Sequence, residues 1–426
     1  MKRIHMASDN NDRRPTRRRT PVLFGIVTFF VVIVIPVVAI YYLVGHRRTT
    51  DVAIPNPTLP HPNAYDYYVA AEQAVVPGRL GQKKVSLANP RTQAEAATEL
   101  KGNARAFALL RHGFQFPYYE PPIRSFTDQR PYHSTCLLLA RELSLESRLA
   151  AVHNDWSTAM NSSIDAVQMG QSIVRGNTLL GELHGLGSQA IGRKPLWNTV
   201  VHLNRAECSQ AIRRLEVVEQ LHVPFSDVLQ EEEWYWLASV DKDLNGKLNP
   251  EWHLDWGKGG TGIGWKRDAV SKATVLAHVK AHFQAAILAA RGPYDTKPQV
   301  TETDFIANTY TSDYTQDRLL NASAEAQTRL LLVSIALRAY HLDHGAYPAQ
   351  LGALIPPYLP SIPLDPFAAN RPLLYYLKGN GYTLYSVGPD IKDDHGRPIF
   401  DPKAPVAQSK RVVPGSIGDI VAGVNF

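Results

Sequence analysis

Sulfur is scarce in this chain: its 426 residues include two cysteines, Cys136 and Cys208, and four methionines. Both cysteines fall in stretches that read as helices. In an oxidising compartment they form one disulfide or stand as two buried thiols, and the sequence alone leaves both options open. Several local signatures of chemistry are also missing. There is no Gly-x-Ser-x-Gly elbow, no Gly-Lys-Ser/Thr phosphate loop, and no His-Glu-x-x-His zinc motif. The run Gly257, Gly259, Gly260, Gly262, Gly264 therefore carries no phosphate-binding reading. His278 and His282 have ligand spacing on a predicted helix, but Val279 stands where a metalloprotease needs glutamate, and two helix-surface histidines are the default.

Charge is missing in two informative places. The net charge of +6 is concentrated at the start, where seven basic residues against Asp9 and Asp12 leave +5 in residues 1–20. The remaining +1 is spread over the rest of the chain, which lacks the electrostatic footprint of phosphate binding, so no nucleic-acid partner is expected. Residues 21–45 contain no charged side chain at all. At about 1.5 Å per residue they span roughly 37 Å, against a hydrocarbon thickness of about 30 Å. Tyr41 and Tyr42 sit where an interfacial belt would lie, Pro36 marks a kink, and no small-x-small cleavage pattern is present at the exit. The basic excess before the span predicts a cytoplasmic N-terminus and an extracytoplasmic bulk, making the membrane itself a partner through one integral span.

Beyond the span the chain is organised simply. Residues 46–62 form a linker with Pro55, Pro57, Pro60 and Pro62, an extended spacer. Residues 63–318 read as mostly helical, with segments at 64–76, 92–112, 134–153, 156–175, 178–201, 205–221 and 268–291, apolar residues recurring three and four apart. No 34-residue repeat is evident, so an irregular bundle of helical hairpins is expected. Residues 231–265 read as a surface excursion holding five of the seven tryptophans. Within it, Glu231, Glu232 and Glu233 beside Trp234 and Trp236 offer carboxylates near aromatic platforms, as sugar-acting sites do. Asp241, Asp243, Asn245 and Gly246 match the first half of an EF-hand loop, yet Trp252 occupies its closing acidic position, and a polar turn is the better account of them.

The last hundred residues are the most specific. A helix at 323–344 stops at Gly345; two strand-like runs, 373–377 and 382–387, flank Gly379-Asn380-Gly381, a hairpin signal. The order ALRAYHLDHGAYP, PLDPF, a tyrosine-rich hairpin, then LYSVGPD resembles the major pseudopilin headpiece of type II secretion over about residues 324–394. The resemblance implies a helix packed on a small antiparallel sheet and a calcium-binding loop after the S-x-G-x-D element. Asp390 matches the family aspartate, and Asp393 and Asp394 share its loop, making these three the candidate calcium ligands. The apolar run of residues 21–45 has no glutamate, unlike a pseudopilin helix, and some 280 residues separate Gly45 from Ala324. The expectation is therefore a borrowed headpiece, residues 319–426, on a mainly α, bacterial, single-pass membrane protein. Its leading function is non-enzymatic, an envelope interaction or assembly factor with envelope protein partners. An envelope glycan-acting enzyme and an atypical secretion subunit are the alternatives.

Overall fold

The computed structural model describes residues 54–82, 85–125, 127–128, 133–244, 272–298, 314–369, 371–406 and 408–425. The basic tail, the apolar run of residues 21–45, the linker up to residue 53, and residues 245–271 lie outside the described residues. Among the described residues, no helix is long and apolar enough to cross a membrane.

Side-chain caps mark four of the described helix starts, at Asn63, Asn89, Asp155 and Asn204. Helix α1 (Ala64–Ala74) begins at Asn63, whose side chain accepts the Tyr65 amide at 3.1 Å. After the single turn α2 (Arg79–Gln82), helix α3 (Pro90–Gly102) has proline in its first turn and Asn89 as its cap. Helix α4 (Ala104–Gly113) comes directly after it. The sequence reads α3 and α4 as one helix over 92–112; the structure breaks it at Asn103. That side chain is spent on the distant backbone of Val76, accepting its amide at 2.7 Å and donating to its carbonyl at 3.1 Å, and it also donates to Glu142 at 3.2 Å. A tertiary bond here overrides a strong helical pattern.

Helices α5 (His133–Val152), α6 (Trp156–Ser172) and α7 (Leu179–Thr199) form consecutive hairpins. The α6 and α7 backbones touch: a Cβ on Gly170 would lie 2.5 Å from the Gly185 carbonyl oxygen, and one on Gly192 would lie 2.6 Å from that of Ser163. Helix α8 (Arg205–Gln220) opens with a capping box, Asn204 accepting the Glu207 amide while Glu207 accepts that of Asn204.

Helix α9 (Phe225–Leu244) corrects the reading of 231–265 as a loop excursion, since its first fourteen residues are helical. Phe225, Val228, Leu229, Leu237 and Val240 fall on one buried face, packed on Leu276, Val279, Phe283 and Ile287 of α10 (Lys272–Arg291). The glutamate triplet and the tryptophans between them disguised that periodicity.

Helix α11 (Thr315–His344) ends where Gly345 adopts φ +74°, the left-handed conformation that glycine tolerates best. Strands β1 (Leu374–Lys378) and β2 (Gly381–Ser386) form the expected hairpin, with Leu374 opposite Tyr385 and Lys378 opposite Gly381. Strand β3 (Ile420–Val421) adds antiparallel to β2, giving the order β1-β2-β3. The fold of the described residues is thus mainly helical, eleven α-helices with one small sheet.

Residues Val52–Phe426 cluster as one unit. The largest core joins Met160 and Ile164 of α6, Leu196 of α7 and Leu215 of α8 to Leu330, Leu331, Val333 and Leu337 of α11, and continues into Leu373, Leu384, Ile399 and Ile420 around the sheet. Residue 319, the expected start of the headpiece, lies inside α11, and the apolar core runs through it unbroken. Cys136 and Cys208 are both buried and unbridged, in two different core clusters.

Candidate functional site

The elements that carried the pseudopilin resemblance converge on a residue the sequence reading did not single out. Asp365, in PLDPF, is 2% exposed and accepts the Ser386 hydroxyl at 2.7 Å, the Val387 amide at 2.8 Å and the Phe367 amide at 3.0 Å. Burial pushes its carboxyl up, against these three donors. Asp365 thus ties the PLDPF turn to the end of β2, where the Asp390 loop begins.

In that loop each expected calcium ligand has its own partner. The Asp390 carboxylate accepts the amides of Lys392 and Gly418, both at 3.3 Å. Asp393 accepts the Tyr385 hydroxyl at 3.0 Å and the His395 amide at 2.9 Å. Asp394 pairs with Arg397 at 2.8 Å. A fourth acid, Asp419, is fully buried beneath them and accepts the amides of Gly396 at 2.7 Å and Asp394 at 3.3 Å. Burial, opposed by those amides and reinforced by the charges of Asp393 and Asp394, pushes Asp419 up to about 6. Hard carboxylate oxygens suit calcium, but these are turned toward separate donors. Among the described residues, no group of three or more His, Cys, Asp or Glu side chains is arranged to hold a metal ion.

The glutamate triplet on α9 is likewise divided. Glu231 pairs with Arg124 at 3.2 Å and accepts the Tyr119 hydroxyl at 3.2 Å. Glu232 accepts the Leu179 amide and the Trp236 indole N–H, both at 2.9 Å. Glu233 is held by Gln230. Burial pushes all three carboxyls up. Glu231 and Trp234 share a cleft of about 290 Å³ with Tyr119, Arg175 and His222, whereas Glu232 and Glu233 do not line it.

Asp241 and Asp243 sit in the last turn of α9, and Asn245 and Gly246 lie outside the described residues. On α10, the His282 ring packs edge-on to Phe283 and Tyr314. His341 and His344, at the end of α11, stack near Tyr347 and Tyr340.

Two buried acids escaped the sequence reading although a signal was present. On α1, Ala64, Tyr68, Ala71 and Glu72 keep the buried-face spacing, so a carboxyl occupies a core position. Burial and then the charge of Glu120 push Glu72 up to about 9. Glu182 of α7 is fully buried, accepts from Asn321 of α11 at 2.7 Å, and is pushed up to about 8, by burial first.

No family model, no curated protein and no solved structure matches this chain.

Proposed function

We propose that the chain is a membrane-anchored envelope interaction or assembly protein, its N-terminus cytoplasmic and its helical body and pseudopilin-like headpiece on the other side of the membrane. The observation that carries this reading is the position of α11. Its apolar residues are shared between the helical body and the sheet within one core. Helices α7 and α8 pack on α11 together with β2 and β3, which fixes the headpiece to the body. A platform held in this way suits the docking of an envelope protein.

The charge-free residues 21–45 and the basic residues before them support the anchor and its orientation. Calcium at Asp390, Asp393 and Asp394 belongs to the reading as a structural element. Tyr385 and Arg397 engage one oxygen each of Asp393 and Asp394, and calorimetric titration of the full chain against an Asp390→Ala variant tests the site: saturable binding lost in the variant supports it, and no binding at millimolar calcium refutes it. A second reading, an envelope glycan-acting enzyme, draws on the shared cleft of Glu231 and Trp234; the ion pair of Glu231 with Arg124 weighs against it.

Because Cys136 and Cys208 are buried, single new cysteines report topology without removing the native ones. In spheroplasts, a membrane-impermeant maleimide should label Val406→Cys, at a position 94% exposed, and should label Ser8→Cys only after lysis. Extraction of the chain by alkaline carbonate, or the reverse labelling pattern, refutes the anchored reading.

A further inference from the structure

Helices α4, α5, α6 and α8, with Phe114 just after α4, line an open cleft of about 600 Å³ that no motif marks in the sequence. Its volume lies within the range of small-ligand sites, about 300–1,000 Å³. At its floor is Asp165 of α6, with its side chain 4% exposed, gripped from both sides by guanidinium groups. Arg111 of α4 and Arg214 of α8 each donate to it at 2.7 Å.

The surrounding groups are locked in the same way. Arg111 also pairs with Glu146 of α5 at 2.6 Å, and Glu146 accepts the Ser162 hydroxyl at 2.6 Å. Arg214 donates to the Asn161 side-chain oxygen at 3.0 Å and to Gln168 at 3.2 Å, while Gln210 donates to Asn161 at 3.2 Å. The charged groups, Asn161, Ser162, Gln168 and Gln210 are therefore held in position by one another before any ligand arrives, which removes much of the ordering cost of binding.

Two features define the ligand class. Two arginines against Asp165 and Glu146 make the charged lining neutral, so neither an anion nor a cation is favoured. The lining also mixes hydroxyl, amide, carboxylate and guanidinium groups, with Phe114 as its one aromatic side chain. A partner that fits offers many groups that both donate and accept, carries no net charge, and has a C–H face to lie against a ring.

We propose that this cleft binds a neutral saccharide. The carboxylates are bound by arginine and so act in recognition rather than hydrolysis. The inference deepens the envelope reading by naming the chemistry of one partner, and it rests on that reading only for where the glycan is met.

The test is calorimetry on the purified full chain in a polyoxyethylene detergent, which carries no sugar. The probes are chitotetraose, cellotetraose and maltotetraose, with trialanine as a zwitterionic comparison. Saturable binding of at least one tetraose is expected, weakened at least about tenfold (about 1.4 kcal/mol) by Gln210→Ala, with unchanged melting, and by Phe114→Leu, measured well below the melting temperature of that variant. No saturable heat with any tetraose up to about 10 mM, a concentration at which weak complexes register, overturns the proposal. Binding that survives both substitutions but is lost in Trp234→Ala overturns it too, by moving the sugar to the Glu231 cleft. Binding of trialanine alone overturns the ligand class. The topology labelling is a separate readout, so failure of the anchored reading and failure of saccharide binding are told apart.

Discussion

Glu72 makes the stability of the body depend on pH in a direction opposite to the usual carboxylate effect. Most folded acids are stabilised as anions, so stability falls when they protonate. Glu72 is 8% exposed, with one carboxylate oxygen buried and unbonded, and is pushed up from 4.5 to about 9, by burial first and then by the charge of Glu120. Between those two values the folded chain holds a proton that the unfolded chain has released. The contribution is therefore fully present below about pH 4.5 and is lost as pH rises toward 9.

At about 1.36 kcal/mol per pH unit, raising the pH from 4.5 to 7 removes roughly 3 kcal/mol. That is a large part of the total stability of an ordinary domain, about 5–15 kcal/mol. Glu72→Gln keeps the shape and cannot ionise. Urea unfolding of the full chain in detergent, monitored by tryptophan fluorescence from pH 5 to pH 8.5, gives the difference between the two proteins. Groups elsewhere cancel in that difference. The variant should match the parent at pH 5 within about 1 kcal/mol, the value of one hydrogen bond, and gain progressively above it. Parallel curves across the range refute the reasoning.

Three other substitutions and probes test the packing. Gly185→Ala puts a methyl 2.5 Å from the Gly170 carbonyl oxygen and should cost about 1–3 kcal/mol by overpacking, read as a lowered melting temperature, whereas Gly102→Ala, with nothing within 4 Å, should not destabilise. Asp365→Asn replaces an acceptor of three hydrogen bonds by an amide that cannot accept them all; a loss of about 2 kcal/mol, with faster amide exchange at Val387, is expected, and unchanged exchange there refutes the tie between PLDPF and β2. Cys136 and Cys208 should react with an aromatic disulfide reagent only at the unfolding rate, because burial pushes both thiols up, to about 12 and about 11; prompt reaction of either in the native chain refutes that burial.

Legibility in this sequence depends on how local each determinant is. Helices α5, α6, α7 and α8 and the β1–β2 hairpin are readable because period, caps and the Gly379 turn lie within a few residues of one another. The break at Asn103 is not readable, since its cause is the backbone of Val76, 27 residues away. The same distinction governs the candidate sites. Runs of acids attract attention as constellations, but neighbours on a helix point about 100° apart. Glu231, Glu232 and Glu233 accordingly reach Arg124, Trp236 and Gln230, three different places. Asp390, Asp393 and Asp394 are close in sequence for the ordinary reason that turns favour aspartate, and each is engaged separately.

The polar network of the proposed cleft is instead built from residues that look unremarkable singly. Arg111, Glu146, Asp165 and Arg214 come from four helices, and none has a sequence neighbour that hints at its role. Only the stacking of α4, α5, α6 and α8 brings them to one cleft, and the backbone contact of α6 with α7 through Gly170 and Gly185 fixes the helix that carries Asp165. In a helical bundle, then, small residues that set interhelical distance are better guides to a site than clusters of charge, because they decide which isolated polar side chains end up facing one another.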